Sequence, residues 1–206
     1  MEGSKTFSKD FMKRHDIPTA AYCNFNDHKE ASAYLASISH PVVIKASGLA
    51  AGKGVIIPTT KEEAQQALDD IMLAKEFGNA GDEVVIEEFL EGDELSILSF
   101  CDGETVRSLP PAQDHKRIGE GDTGPNTGGM GTYAPTRIAP RDVIEEIHAK
   151  VLEPTIRGMK EEGRNSVPYL RYLGWNRVLT GPRIPIHRRA FHWLDDDQRR
   201  CQSPRI

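Results

Sequence analysis

The chain has 206 residues, 38% of them hydrophobic, and a formal net charge of -5. This length accommodates one domain or two small ones and is sufficient to bury an apolar core. The mildly acidic balance argues against bulk binding to nucleic acid, which needs a basic face. No apolar run approaches the ~18 residues that suggest a membrane span, and the first residues lack an apolar signal core. Together with three widely spaced cysteines, this predicts a cytoplasmic protein with no membrane partner.

The first segments alternate between helix and strand signals. Ser4 precedes a stretch in which Phe7 and Phe11 stand four residues apart, which predicts a capped, short amphipathic helix. Residues 20–25 form a strand candidate, and Asp27 is placed to cap a second helix. A third helix is predicted after Thr60, because a glutamate three residues later completes a capping-box pattern.

Two apolar runs flank a glycine-rich loop in VVIKASGLAAGKGVII, residues 42–57. The first run ends at Lys45, and Lys53 stands between Gly52 and Gly54. Such a loop lets backbone N–H groups approach phosphate oxygens, while lysines add point charges. It is not the P-loop of nucleotide hydrolases, because the glycine spacing is one residue short and a strand follows instead of a helix. Phosphate binding and a plain β-hairpin with solvated lysines both remain open from the spacing alone.

Acidic side chains cluster where the next two strands meet. Glu87 and Glu88 end one apolar run, and Glu94 begins another just after Gly92. Alternation from Glu94 onward is typical of a half-exposed strand. A carboxylate beside a crevice can accept hydrogen bonds from ribose hydroxyls, and the alternative is a solvated acidic edge.

Residues 110–135 are rich in glycine and proline and show no periodicity. A loop this long inside a compact protein is usually functional or disordered. Met130 and Tyr133 disfavour a disordered linker, so the sequence predicts a functional loop. Helical periodicity then resumes, with Pro154 as a kink or break.

Four strings carry a resemblance to a known family: EGSKTFSKDFM, KASGLAAGKGV, VIEEFLEGDE and QDHKR…GDTGPNTGGMGTYAP. In this order they resemble the motifs of the phosphoribosylamine–glycine ligases, which are ATP-grasp enzymes of purine synthesis. The resemblance covers about residues 2–168 and looks closest to the version that begins the multifunctional animal protein. It implies an α+β fold of ATP-grasp type, with an entry helix in residues 1–19, a small lobe in 20–93 and part of the central lobe in 94–168.

The resemblance also implies a reaction and the residues that serve it. Members of the family join glycine to 5-phosphoribosylamine and convert ATP to ADP and phosphate, with Mg²⁺ or Mn²⁺. The implied ATP-binding residues are Lys5, Lys45, Gly52, Lys53, Gly54, Glu87, Glu88, Phe89, Leu90 and Glu94. The implied acceptor-binding residues are Asp114, Asn126, Thr127, Gly128, Gly129 and Met130. The implied catalytic residues are Lys53, Asp114 and Lys116.

The sequence departs from the family's pattern in two places. Family members carry a domain ahead of the EGSK segment that helps to bind the phosphoribosylamine, and this sequence starts at that segment. Beyond Tyr169, the family's Glu-x-Asn motif, whose members ligate Mg²⁺, has no counterpart, so no metal ligand is assigned.

Residues 169–206 are interpreted as a divergent tail, either disordered or produced by a frameshift or altered splicing. Loss of the family's strands here predicts exposed apolar surface and unpaired sheet edges. The sequence therefore predicts an incomplete ATP-grasp fold that is weakly active or inactive. A non-catalytic, truncated nucleotide-binding form of the enzyme remains the alternative.

Overall fold

The computed structural model describes residues 3–50, 54–121 and 123–164, and the backbone of two further strands at 171–179 and 187–194. Within these ranges, no helix combines the length and the apolar character that a bilayer crossing needs.

The first half of the chain builds a small antiparallel sheet that is packed on two helices. In chain order the elements of this half are α1 (Lys5–Arg14), β1 (Tyr22–Phe25), α2 (His28–Ser37), β2 (Val42–Ala46), β3 (Val55–Ile56), α3 (Lys61–Met72), a 3₁₀ turn (Gly78–Gly81) and β4 (Val84–Glu88). The strands of the sheet are ordered β1-β4-β2-β3.

The predicted helix caps are confirmed. The side chains of Ser4, Asp27 and Thr60 each accept a hydrogen bond from the backbone N–H three residues on, at 3.1, 3.0 and 3.1 Å. These bonds satisfy N–H groups that have no partner inside the helix. The capping box before α3 is shifted by one residue, because the carboxylate of Glu63 accepts from the backbone N–H of Thr59 at 2.7 Å.

The second half contains a larger sheet and a separate two-stranded hairpin. Its elements are β5 (Asp93–Cys101), β6 (Val106–Ser108), β7 (Gln113–Gly119), β8 (Thr123–Tyr133), α4 (Arg141–Ile147), a π-helical turn (His148–Leu152), α5 (Glu153–Glu161), β9 (Arg171–Leu179) and β10 (His187–Leu194). The strands of the larger sheet are ordered β10-β9-β5-β6, and β7 and β8 form the hairpin.

The α-helical pattern is interrupted near Pro154, but the chain does not leave the helix, since α4, the π-helical turn and α5 follow one another without a gap. Pro154 lies in the first turn of α5, directly after the π-helical turn that separates α4 from α5. A proline has no N–H to donate, so the regular hydrogen-bond ladder is interrupted there.

Helix α1 belongs to the core of the second half although it begins the chain. Phe11 and Met12 pack in a buried cluster with Leu95 and Ile97 of β5 and with residues of α4 and α5. A second buried cluster joins the small sheet to α2 and α3, including Ile44, Leu68, Ile71 and Ile86. The alternation predicted for β5 is confirmed, since Leu95 and Ile97 are fully buried while Leu98 is exposed.

The interpretation of residues 110–135 as an irregular loop is wrong. Strands β7 and β8 pair there as an antiparallel hairpin, with register shifts on both sides of Arg117. Most residues of the hairpin are exposed, so neither face needs to be apolar and the period-2 signal is absent. Its glycines and bulges further disguise a strand as a loop.

The tail also contributes strands. All nine residues of β5 pair with β9, from Asp93 opposite Leu179 to Cys101 opposite Arg171, and β10 then pairs with β9. The expectation of an unpaired edge on this side of β5 is therefore wrong.

Candidate functional site

The two faces of the small sheet differ in chemistry. Because side chains alternate along a strand, Ile44 and Ile86 point to one face, where they join the apolar cluster with α2 and α3. Lys45 occupies the opposite face together with Val43, whose cross-strand partner is Glu87. The face of the sheet opposite α2 and α3 therefore carries a lysine and a glutamate, both buried.

Glu87 lies between two lysines. Its Oε1 forms an ion pair with Nζ of Lys45, and its Oε2 forms one with Nζ of Lys9 on α1. All three side chains are at most 7% exposed. Lys9 also donates to Oγ1 of Thr19 at 2.8 Å and to the carbonyl of Ala20 at 3.4 Å. Two cations thus share one carboxylate away from solvent.

Lys5 lies at the start of the glycine-rich loop. Its Nζ donates to the carbonyls of Ala46 and Gly48, both at 2.9 Å, and its backbone N–H donates to the carbonyl of Ser47 at 2.8 Å. Burial lowers the pKa of Lys5 from its ordinary value, because a charged ammonium loses hydration there. Lys5 and Lys45 are therefore both placed where β2 passes into the loop.

The loop itself is only partly described. Gly52 and Lys53, both predicted ATP ligands, lie outside the described residues. Gly54 closes the loop, and its carbonyl accepts from the backbone N–H of Ala46 at 2.9 Å. A Cβ at Gly54 would meet the Cβ of Ala50 at 2.6 Å, so the close approach of the two chain segments requires glycine.

The strand end predicted to bind adenine is held by the fold. Glu88 accepts from the backbone N–H of Ala21 at 2.9 Å, and the backbone N–H of Phe89 donates to the carbonyl of Pro41 at 3.0 Å. Phe89 is one of the residues that line a cavity of about 540 Å³ beside α2 and α3. Leu90 is half-buried. The side chains of Glu87 and Glu88 are thus engaged with protein groups.

A second polar cluster joins β5 to the hairpin. Nζ of Lys116 donates to Oε2 of Glu94 at 3.1 Å and lies 3.9 Å from Oδ2 of Asp114. Oγ1 of Thr132 donates to Oδ1 of Asp114 at 3.2 Å. The side chains of Lys116, Glu94 and Asp114 are 23 to 29% exposed, so each is partly accessible to solvent.

The hairpin turns its backbone toward this cluster. Oγ1 of Thr127 donates to the carbonyl of Lys116 at 2.9 Å and accepts from the backbone N–H of Gly129 at 3.1 Å. Gly129 has φ +133°, and a Cβ there would lie 3.0 Å from Oδ1 of Asp114. A glycine is therefore required for the backbone to pass this close to the carboxylate.

Of the remaining predicted hairpin residues, two are exposed to solvent and the third is described only in its backbone. Gly128 is exposed, and the side chain of Met130 is 57% exposed. The backbone of Asn126 pairs with Arg117, and its side chain lies outside the described part of the chain.

The described residues do not fit a Mg²⁺ site. In the ranges that the structure covers, no three His, Cys, Asp or Glu side chains are grouped to hold a metal ion. The carboxylates of Glu87 and Glu94 are each paired with a lysine.

Sequence reasoning missed Lys9. A usable signal was present, because Lys5 and Lys9 stand four residues apart on α1 and so share one face of the helix. The partner Glu87 is 78 residues further along the chain, and nothing local in the sequence connects it to Lys9.

Comparisons with known proteins agree with this architecture. The family model described as phosphoribosylglycinamide synthetase, ATP-grasp (A) domain, matches residues 3–174. A bifunctional purine biosynthetic protein of Pichia angusta is 64% identical over 79% of this chain and 21% of its own length. The trifunctional purine biosynthetic protein adenosine-3 of Gallus gallus is 51% identical over 89% of this chain and 18% of its own. The fungal relative is thus the more similar of these two.

A single-function relative and a solved structure extend the comparison. Phosphoribosylamine–glycine ligase of Vibrio cholerae is 50% identical over 88% of this chain and 42% of its own. The crystal structure of the Thermotoga maritima ligase superposes with a TM-score of 0.80 at 36% identity, over 92% of this chain and 47% of that one. D-alanyl-alanine synthetase A of Vibrio cholerae, 17% identical with a TM-score of 0.65, shares the fold.

This chain spans less than half the length of these curated relatives. The matched region nevertheless covers most of the chain, and it includes both polar clusters described above. The fold is α+β of ATP-grasp type, as predicted. The chain belongs to the phosphoribosylglycinamide synthetase family, through its ATP-grasp domain.

Proposed function

We propose that this chain supplies the nucleotide-binding part of a ligase that joins glycine to 5-phosphoribosylamine with ATP. A glycine carboxylate oxygen attacks the γ-phosphorus of ATP, and the bond from that phosphorus to ADP breaks. The amine nitrogen of phosphoribosylamine then attacks the acyl carbon and loses a proton. Phosphate leaves with the electron pair of the carbon–oxygen bond, so that glycinamide ribonucleotide, ADP and phosphate are formed.

The observation that carries the proposal is the placement of Lys5 and Lys45. The ammonium of Lys5 lies where β2 passes into the glycine-rich loop. Lys45 is the next-to-last residue of β2, and its ammonium contacts Glu87. Both residues belong to the region matched by the family model. Transfer of a phosphoryl group depends mainly on positioning and on neutralising charge, which two fixed cations supply. Lys53, with Gly52 and Gly54, completes the proposed phosphate loop.

The nucleoside end of ATP is assigned to the strand end before β5. The side chains of Glu87 and Glu88 contact protein groups, so residues 87–90 are proposed to bind adenine through backbone groups. Glu94 is proposed to accept hydrogen bonds from the ribose hydroxyls. Its ion pair with Lys116 holds the carboxylate at the start of β5.

The acceptor substrates are assigned to the hairpin. Asp114 and Lys116, positioned by Thr127 and Gly129, are proposed to orient the γ-phosphate and the attacking group. Asn126, Gly128 and Met130 complete this surface. Lys116 and Asp114 carry opposite charges, so Lys116 can bind the carboxylate of glycine while Asp114 binds the amine of phosphoribosylamine.

Activity of this chain alone is proposed to be weak or absent, because the sequence beyond Tyr169 has no counterpart of the Glu-x-Asn motif that the resemblance implies as the metal ligands. The same observation favours a second candidate function, a nucleotide-binding form that does not catalyse ligation. Both candidates require ATP to bind, and they differ in whether phosphate is released.

Calorimetric titration with ATP and Mg²⁺ tests the shared requirement. We expect micromolar binding to the wild-type chain, and a Kd about tenfold higher for Lys45→Ala, corresponding to ~1.4 kcal/mol. Lys29→Ala is the matched control, since Lys29 is an exposed lysine of α2 in the same half of the chain. Equal affinities of wild type and Lys45→Ala would remove the phosphate-binding role, and absence of binding would overturn both candidates.

Phosphate release separates the two candidates. A slow release that requires both glycine and phosphoribosylamine supports the ligase. Tight ATP binding with no release above the rate without acceptors supports the non-catalytic form.

A further inference from the structure

Lys9, Lys45 and Glu87 form one ion-pair group whose side chains are almost fully buried. Their formal charges sum to about +1. We propose that Lys9 is a positioning residue: by occupying one oxygen of Glu87, it keeps this glutamate from neutralising Lys45, so that positive charge remains for the phosphates of the nucleotide. This inference rests on the proposed function and assigns a role to a residue outside the predicted site.

The two oxygens of the Glu87 carboxylate contact different lysines. Oε1 of Glu87 contacts Lys45, and Oε2 contacts Lys9. If Lys9 were absent, Lys45 and Glu87 would form a neutral pair, and the glutamate would compete with an incoming phosphate for the ammonium of Lys45. With Lys9 present, the negative charge of Glu87 is shared between two cations.

Lys9 is held in place by contacts other than the carboxylate. Its Nζ donates to Thr19 and to the carbonyl of Ala20, and it lies 5.4 Å from the ring centroid of Tyr22. Because α1 is anchored through Phe11 in the larger core, the ammonium stays with Glu87. Lys9 is therefore proposed to influence nucleotide binding through its ion pair with Glu87.

Charge arithmetic supplies a test that simple structural damage would not imitate. The formal charges of residues 9, 45 and 87 sum to about +1 in the wild type. The sum is about 0 in Lys9→Met and about +1 again in the double variant Lys9→Met/Glu87→Gln. The double variant removes more polar contacts than the single variant, yet it restores the net charge. A purely structural role predicts that the double variant is at least as damaged as the single one.

The experiment titrates ATP with Mg²⁺ into the wild type, Lys9→Met, the double variant and Lys13→Met. Lys13 is an exposed lysine on the same helix, so its variant controls for the loss of one charge. We expect Lys9→Met to raise the Kd about tenfold, the double variant to recover most of that loss, and Lys13→Met to match the wild type.

Each outcome decides between the inference and the proposed function. Wild-type affinity in Lys9→Met overturns the inference and leaves the proposed function standing. Absence of binding in the wild type overturns both. If Lys9→Met does not fold, the double variant decides alone, and affinity more than tenfold below wild type in a folded double variant overturns the inference.

Discussion

The close approach of the hairpin backbone to Asp114 depends on one residue, Gly129. At Gly129 the backbone adopts φ +133°, and a methyl group there would approach Oδ1 of Asp114 to 3.0 Å. A side chain is strained at this φ whatever space surrounds it. The adjacent Gly128 has nothing within 4 Å of the corresponding position, so two neighbouring glycines differ in what they require.

We therefore expect Gly129→Ala to loosen the hairpin, while Gly128→Ala leaves it nearly unchanged. Strain at Gly129 should lower the free energy of local opening by about 1–2 kcal/mol. Hydrogen–deuterium exchange of the backbone amides in residues 113–133 measures this opening. Equal exchange rates in the two variants would show that the backbone at Gly129 imposes no requirement.

At the scale of elements, helices α2 and α3 are joined by a polar contact between side chains. Nε2 of His28 lies 2.6 Å from Oδ1 of Asp69, and Gln65 donates to the same oxygen at 2.8 Å. The hydrogen bond from His28, followed by that from Gln65, holds the pKa of Asp69 below its ordinary value. Hydrogen bonds to the ionised form have this effect because they favour the carboxylate.

This pKa shift predicts a pH-dependent contribution to stability. A depressed folded-state pKa stabilises the fold above the ordinary value of about 3.9, and that contribution is lost as pH falls through the folded pKa. Asp69→Asn should therefore lower the free energy of unfolding at pH 6 by about 0.3–1 kcal/mol, a small effect because solvent screens the pair.

Urea denaturation from pH 6 to pH 3 measures the difference between Asp69→Asn and wild type. The difference should shrink toward the acidic end. Glu62→Gln, an exposed change on the same helix, controls for the loss of a charge from α3. A difference that stays constant over this range would contradict the assigned role of the carboxylate.

The elements that sequence reasoning predicted are those specified by neighbours in the chain. The caps at Ser4, Asp27 and Thr60, and the interruption of the α-helix near Pro154, each depend on residues within one helical turn. The prediction that Lys5 and Lys45 belong to one ATP site came from the family resemblance of the motifs that contain them. Local pattern was sufficient wherever one face of an element is buried against a core.

What was missed depends on distant contacts or on exposure. The hairpin β7–β8 buries neither face, so no apolar alternation marks its strands. The ion pair of Lys9 with Glu87 joins residues 78 positions apart. Strand β9 is recognisable only through its pairing with β5, because its own sequence shows no clear period.

At the scale of the whole molecule, the tail completes the larger sheet. Strand β9 covers the full length of β5 on the side opposite β6. A sheet edge without such a partner presents a row of unpaired N–H and C=O groups that other chains can pair with.

A chain ending after Arg164 should therefore associate with itself and melt at a lower temperature. Light scattering and thermal denaturation test this against a chain ending after Leu194, which retains both β9 and β10. An unchanged melting temperature and a monodisperse chain without the tail would show that β9 contributes nothing to the sheet.

The alternation of chemistry along β2 and β4 also fixes how these strands can align. Lys45 and Glu87 lie on one face, while Ile44 and Ile86 lie on the other against α2 and α3. A slip of one residue in either strand would turn its charged side chain into the apolar cluster. That misalignment would bury an ion without a partner, which is among the costliest errors a core can contain. The same lysine and glutamate proposed to serve the nucleotide thus exclude the alternative registers of the sheet that carries them.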